Sequence, residues 1–171
     1  MKINRLISLI AGLVLSASFA TPTFAAPAPT PDNVIVTFQN PDTFSDVLEN
    51  HQNTTSTYFL NELQECIIKT ASRRLATGQK LLITVTDIDL AGETRFNQPE
   101  QIRVMREIYT PRVKLKFQLL DPEGKVLKEG ERSLVDRDYL MLAQRPGSSE
   151  PLFYDKQMLK DWITQEFKKA A

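Results

Sequence analysis

One cysteine and one histidine in 171 residues leave the chain without the parts for the commonest catalytic and metal centres. A conventional zinc site draws on several Cys and His ligands, and with one of each it is excluded within a single chain. A lone cysteine also means no internal disulfide, so the core must supply the stability. Cys66 is read as a small, partly buried helix residue, because no His stands near it in sequence to hold a thiolate. The other readings of Cys66 are a reactive thiol or an intermolecular disulfide. His51 sits in a polar stretch with no triad motif around it. The six glycines form no phosphate-cradling loop, and neither G-x-S-x-G nor H-E-x-x-H occurs. Charge of one sign is lacking too: 21 basic residues meet 21 acidic ones. That balance gives no electrostatic reason to expect nucleic acid or anionic lipid as a partner.

The one long apolar run lies at the start. Lys2 and Arg5 precede an uncharged stretch from Ile7 to Ala20, and Thr23-Phe24-Ala25 places small residues where signal peptidase reads them. This is the layout of a secretory signal over residues 1–25, cleaved after Ala25. The run is shorter than the roughly 20 residues that span a bilayer, and no later run is long enough, so no transmembrane span is expected after cleavage. The expected location is periplasmic or secreted. Residues 26–32, Ala-Pro-Ala-Pro-Thr-Pro-Asp, read as a stiff tether. Residues 33–171 are then one α+β domain.

Within it, Val34 to Phe38 is β-branched and aromatic between proline-containing breaks, a first strand. Pro41 to Thr55 reads as a loop with one turn of helix. Leu60, Leu63, Ile67, Ala71 and Leu75 recur at helical spacing, which predicts a helix over 56–77 with Gly78 as its stop. Glu65 and Lys69 are spaced to pair along it. Lys80 to Leu90 is a near-continuous apolar strand, parallel to the first across the helix. Gly92 to Tyr109 is charged and irregular, with a short helix expected from Pro99. Arg112 to Leu120 alternates cleanly and turns through Asp121-Pro122-Glu123-Gly124 into a hairpin partner, Val126 to Leu134, with Gly130 a candidate bulge. Lys114 and Lys116 on the wet side would discourage edge pairing. Tyr154 to Phe167 is the last helix. The predicted architecture is a four-stranded mixed sheet in β-α-β-β-β-α order, with two main helices on one face.

Chemistry has few places to sit. The run Thr86-Asp87-Ile88-Asp89-Leu90-Ala91-Gly92-Glu93 ends a strand in D-x-D and resembles the opening of haloacid-dehalogenase-type phosphatases. Leu90 departs from that pattern, and too few βα units follow to complete that fold. Asp87, Asp89 and Glu93 remain candidate oxygen ligands for Ca²⁺ or Mg²⁺, with Asp136 or Asp138 contributing. The simpler reading pairs these acids with nearby Arg95, Arg103 or Arg112. Arg103, Arg112 and Arg132, among other arginines, are a second candidate set, clamping an anionic ligand or facing a partner. Interleaved acids favour a salt-bridged wet face there.

Four stretches then carry a family resemblance: Val36-Thr37-Phe38 with Asn40-Pro41-Asp42; Thr84 to Gly92; Ile108-Tyr109 with Pro111-Arg112; and Gly124-Lys125-Val126-Leu127 leading to Glu129-Gly130-Glu131-Arg132. Together they resemble the exported bacterial proteins grouped as domain-of-unknown-function family 3016. The resemblance implies export and a single-domain organisation, and it carries over no catalytic residue. The expectation is a non-enzymatic periplasmic binding or accessory module, without a cofactor, that meets an envelope protein or periplasmic ligand. It would do so through its sheet face or the Gly92–Tyr109 insertion. The alternative is a metal-binding protein or metal-assisted hydrolase centred on Asp87, Asp89 and Glu93.

Overall fold

A computed structural model of the chain describes residues 32–49, 54–95, 102–143 and 149–168. The leader, most of the tether, His51 and Pro99 lie outside the described residues, and the helix expected from Pro99 does not extend into Ile102–Val104, which is a strand.

Strand β1, Val34–Phe38, buries Val34 and Val36 and leaves Ile35 on the opposite face. The short ladder of β2, Leu48–Glu49, and β3, Thr54–Thr55, follows a 3₁₀ turn at Pro41–Thr43. Helix α1, Thr57–Ser72, starts at Ser56, whose hydroxyl accepts from the Phe59 amide at 3.2 Å. It ends five residues before the expected Thr77, because Ala71 O accepts from both Arg74 N and Leu75 N and tightens the last turn. The expected Glu65–Lys69 ion pair is not formed among the described residues.

Strand β4, Lys80–Asp89, pairs parallel with β1 and antiparallel with β7, Arg112–Leu120, and β7 pairs antiparallel with β8, Val126–Val135. The sheet order is β1-β4-β7-β8. Helix α2, Phe153–Glu166, packs beside α1, and the two cover one face of the sheet as expected. The core is one continuous cluster of Val34, Val36, Leu81, Ile83, Val85, Val113, Leu115 and Phe117 against Leu63, Ile67, Ala71, Leu159 and Ile163. Each methyl and methylene kept from water there contributes about 0.8 kcal/mol. Phe117, Trp162 and Phe167 close its lower end edge to face, with centroids 5.4–5.9 Å apart.

Three local readings are corrected. Gly130 is not a bulge: it pairs with Phe117, and a Cβ there would lie 3.3 Å from the Phe117 ring, so the glycine makes room for an aromatic across the strand. The irregularities fall instead at Leu119/Leu120 and at Val85/Asp87. Lys114 and Lys116 lie on an interior strand, so the edge is guarded by the charges of β8 itself. Pairing two copies of β8 about Gly130 would set Glu129 against Glu131 and Lys128 against Arg132. Finally, the insertion is not irregular: β5, Glu93–Arg95, and β6, Ile102–Val104, form an antiparallel ribbon.

Candidate functional site

The second irregularity organises the site. In β4, Leu81, Ile83 and Val85 face the core in strict alternation, and continued alternation would send Asp87 into it. The bulge at Thr86 inserts one residue, so Ile88 turns inward and Asp87 and Asp89 turn to the uncovered face. Burying two carboxylates is avoided at the expense of one ladder position.

Around this strand end three distant segments meet. Asp46 continues the path of β1, forming a parallel bridge to Asp89, with Asp46 N donating to Ile88 O and Leu90 N donating to Asp46 O. Arg103, from β6, reaches across to Asp46 at 2.9 and 3.2 Å and donates to the carbonyls of Leu90, Ala91 and Gly92 at 3.4, 3.1 and 3.0 Å. From α2, Asp155 accepts from the Ala91 amide at 3.0 Å. Asp155 is fully buried, and burial pushes its carboxyl up to about 6. Gly92 takes φ +81°, and a Cβ there would meet Val104 O at 2.9 Å and Met105 Sδ at 2.7 Å. Only glycine allows the ribbon to sit this close. Tyr139, buried under the insertion, donates its hydroxyl to Arg106 O at 2.8 Å and stacks edge-on against Tyr154.

The sequence-derived candidates take separate places in this frame. Asp87 is tied into the protein: Ser45 donates to it through N and Oγ at 3.0 Å, and Lys114 pairs with it at 3.0 Å. These bonds outweigh partial burial and hold its carboxyl below the usual range. Asp89 and Glu93 line a cleft of about 220 Å³ together with Asp46, Gly92, Ile108, Tyr109, Thr110 and Arg112. Burial, then the charge of Asp46, raises the Asp89 carboxyl, while Arg112 opposes the shift. Among the described residues Asp89 makes no side-chain hydrogen bond and no ion pair. Ile108 stands at the cleft 71% exposed.

The three arginines do not converge. Arg103 props the site from behind, Arg112 lines the cleft as the cross-strand partner of Asp89, and Arg132 lies on the helix side of the sheet. There Arg132 grips Glu166 through two bonds of 2.8 Å and covers Phe117 at 5.2 Å. That grip, with help from Lys128, holds the Glu166 carboxyl down to about 2. Among the described residues no group of three or more His, Cys, Asp or Glu is placed to hold a metal ion. Asp136 accepts the backbone amide of Asp138. Sequence reasoning missed Asp46 and Asp155, whose partners stand far along the chain. Asp155 alone left a local trace, as an acid in the first turn of α2.

A helix-backed mixed sheet with a β-ribbon braced across one strand end defines an α+β protein, with Thr86–Gly92 at the centre of the candidate site. A profile of the family described as protein of unknown function (DUF3016) matches residues 32–165, and the chain belongs to that family. No curated protein and no solved structure matches it.

Proposed function

We propose that the protein is an exported, non-enzymatic binding module of the bacterial envelope. Its cleft at the β4 end receives a cationic side chain from a partner protein, with Ile108 as the apolar contact beside it. The observation that carries this reading is Asp89. A partly buried carboxylate with no bonded partner among the described residues, its charge disfavoured by burial and by Asp46, is poised to gain a charge-assisted bond from an incoming guanidinium or ammonium. Asp46 and Glu93 add negative charge around it, and Arg112 is the one cation among the described residues that line the cleft. Ile108 supplies the exposed apolar anchor that such contacts use.

Export rests on the leader at residues 1–25, which would place the domain in the periplasm or outside the cell. No helix among the described residues is long and apolar enough to cross a membrane. The alternative, Ca²⁺ or Mg²⁺ at Asp87, Asp89 and Glu93, draws support from the same electron-rich cleft. Against it stands the engagement of Asp87 with Ser45 and Lys114.

A photoreactive amino acid at position 108 tests the binding role in the native envelope. A discrete crosslinked protein is expected, and it should vanish in Asp89→Lys while the fold and export persist. The reading fails if no crosslink forms, or if the same crosslink survives the charge reversal.

A further inference from the structure

The helix layer carries a second concavity, remote in character from the acidic cleft. α1 and α2 diverge on their outer side to leave a groove of about 720 Å³. Among its described lining residues five basic side chains face three acidic ones, an excess of cations in a chain whose charges balance as a whole. Two of the five are engaged: Lys156 is paired with Glu62, and Arg74 donates to Thr164 Oγ1 at 3.2 Å. The other three, Lys69 on α1, Arg73 just past its end and Lys160 on α2, form no ion pair among the described residues. Glu65 stands one turn from Lys69, yet the two do not close the pair that their spacing allows. Thr70 and Thr164 add hydroxyls to the lining, and Cys66, buried, lies among them.

We propose that this groove is a binding site for a small polyanion, a ligand carrying two or more phosphate or carboxylate groups. Three considerations lead there. Its volume falls within the about 300–1,000 Å³ typical of small-ligand sites. Most of its wall is built by the two helices packed on the sheet, which carry Lys69, Lys156 and Lys160, with Arg73 and Arg74 in the turn that closes α1. Its unpaired cations come from both sides of the groove, so one anion bridging them satisfies charges that no carboxylate among the described residues pairs with. A lone phosphate would engage only part of this set. The groove lies on the helix layer and the acidic cleft at the end of β4, so the two sites bind opposite charges and need not compete.

Calorimetric titration of the purified protein with inorganic pyrophosphate and with citrate, at matched ionic strength, tests the site. Saturable binding of at least one is expected, weakened tenfold or more in Lys69→Gln/Arg73→Gln/Lys160→Gln. None of the three forms an ion pair among the described residues, so the variant should unfold close to the parent's temperature, which separates loss of binding from loss of fold. A preference for pyrophosphate assigns a phosphorylated ligand, and a preference for citrate assigns a polycarboxylate. The proposal is overturned if neither anion binds saturably, or if the triple variant binds as tightly as the parent.

Discussion

Asp155→Asn should stabilise the domain at pH 7 by about 1 to 3 kcal/mol and flatten its stability between pH 4 and pH 6. The carboxyl is fully buried, its strongest influence is burial, and its one bond to another residue is from Ala91 N at 3.0 Å. Because the folded-state value lies near 6 and the unfolded value near 4, the native state holds this proton more tightly. The stability it contributes is therefore fully present below about pH 4 and is lost as pH rises through about 6. At neutral pH the group is ionised in a site that disfavours the charge. Asparagine keeps an oxygen facing Ala91 N without that charge. The lower end of the range applies if the new amide hydrogens find no acceptor.

Glu166 works in the opposite direction and in a different window. Its carboxyl, held down to about 2 by Arg132, contributes stability above the usual glutamate value that is lost as pH falls through 2. Chemical denaturation at pH 4, 5, 6 and 7, parent beside Asp155→Asn, isolates the first effect. Parallel profiles for the two proteins would contradict the account of Asp155.

The second large effect is expected at Arg103. Arg103→Met should cost about 3 kcal/mol, read as a lower urea midpoint at unchanged slope. The guanidinium joins the Asp46 carboxylate and the Leu90, Ala91 and Gly92 carbonyls, so its loss leaves a partly buried acid and three acceptors short of a donor. Methionine keeps the stem's packing and removes only the fork. Arg103→Lys should recover less than half, because one ammonium cannot address a carboxylate and a row of carbonyls at once. A loss below about 1 kcal/mol for Arg103→Met would show that the ribbon is held by other contacts.

Both effects concern residues whose importance is invisible locally. The strands and helices were legible because their signals are periodic: the alternation of Val113, Leu115 and Phe117, and the helical stripe of Leu63, Ile67 and Ala71. The parallel pairing of β1 with β4 followed from the strand, helix, strand order. The bulge at Thr86 was hidden, because a near-continuous apolar strand gives no phase against which a one-residue slip can be seen. The ribbon was hidden for a different reason. Three-residue strands such as Glu93–Arg95 are too short to show a period, and they form because Arg103 ties them back to Asp46. The D-x-D run was noticed for its chemistry, yet its neighbours decide what each acid does. Asp87 is bonded into the protein, and Asp89 is left open in the cleft.

On that division rests our proposal that the cleft acids receive a cationic group carried by a partner rather than a metal ion. Thermal unfolding of the protein in Ca²⁺, Mg²⁺, Mn²⁺ or chelator, beside Asp89→Asn, tests it directly. A ligand at 100 times its Kd stabilises by about 2.7 kcal/mol, a shift of several degrees. The account predicts the same unfolding temperature in all four conditions, for both proteins. A rise specific to one metal in the parent, absent in Asp89→Asn, would contradict it and make the cleft a metal centre.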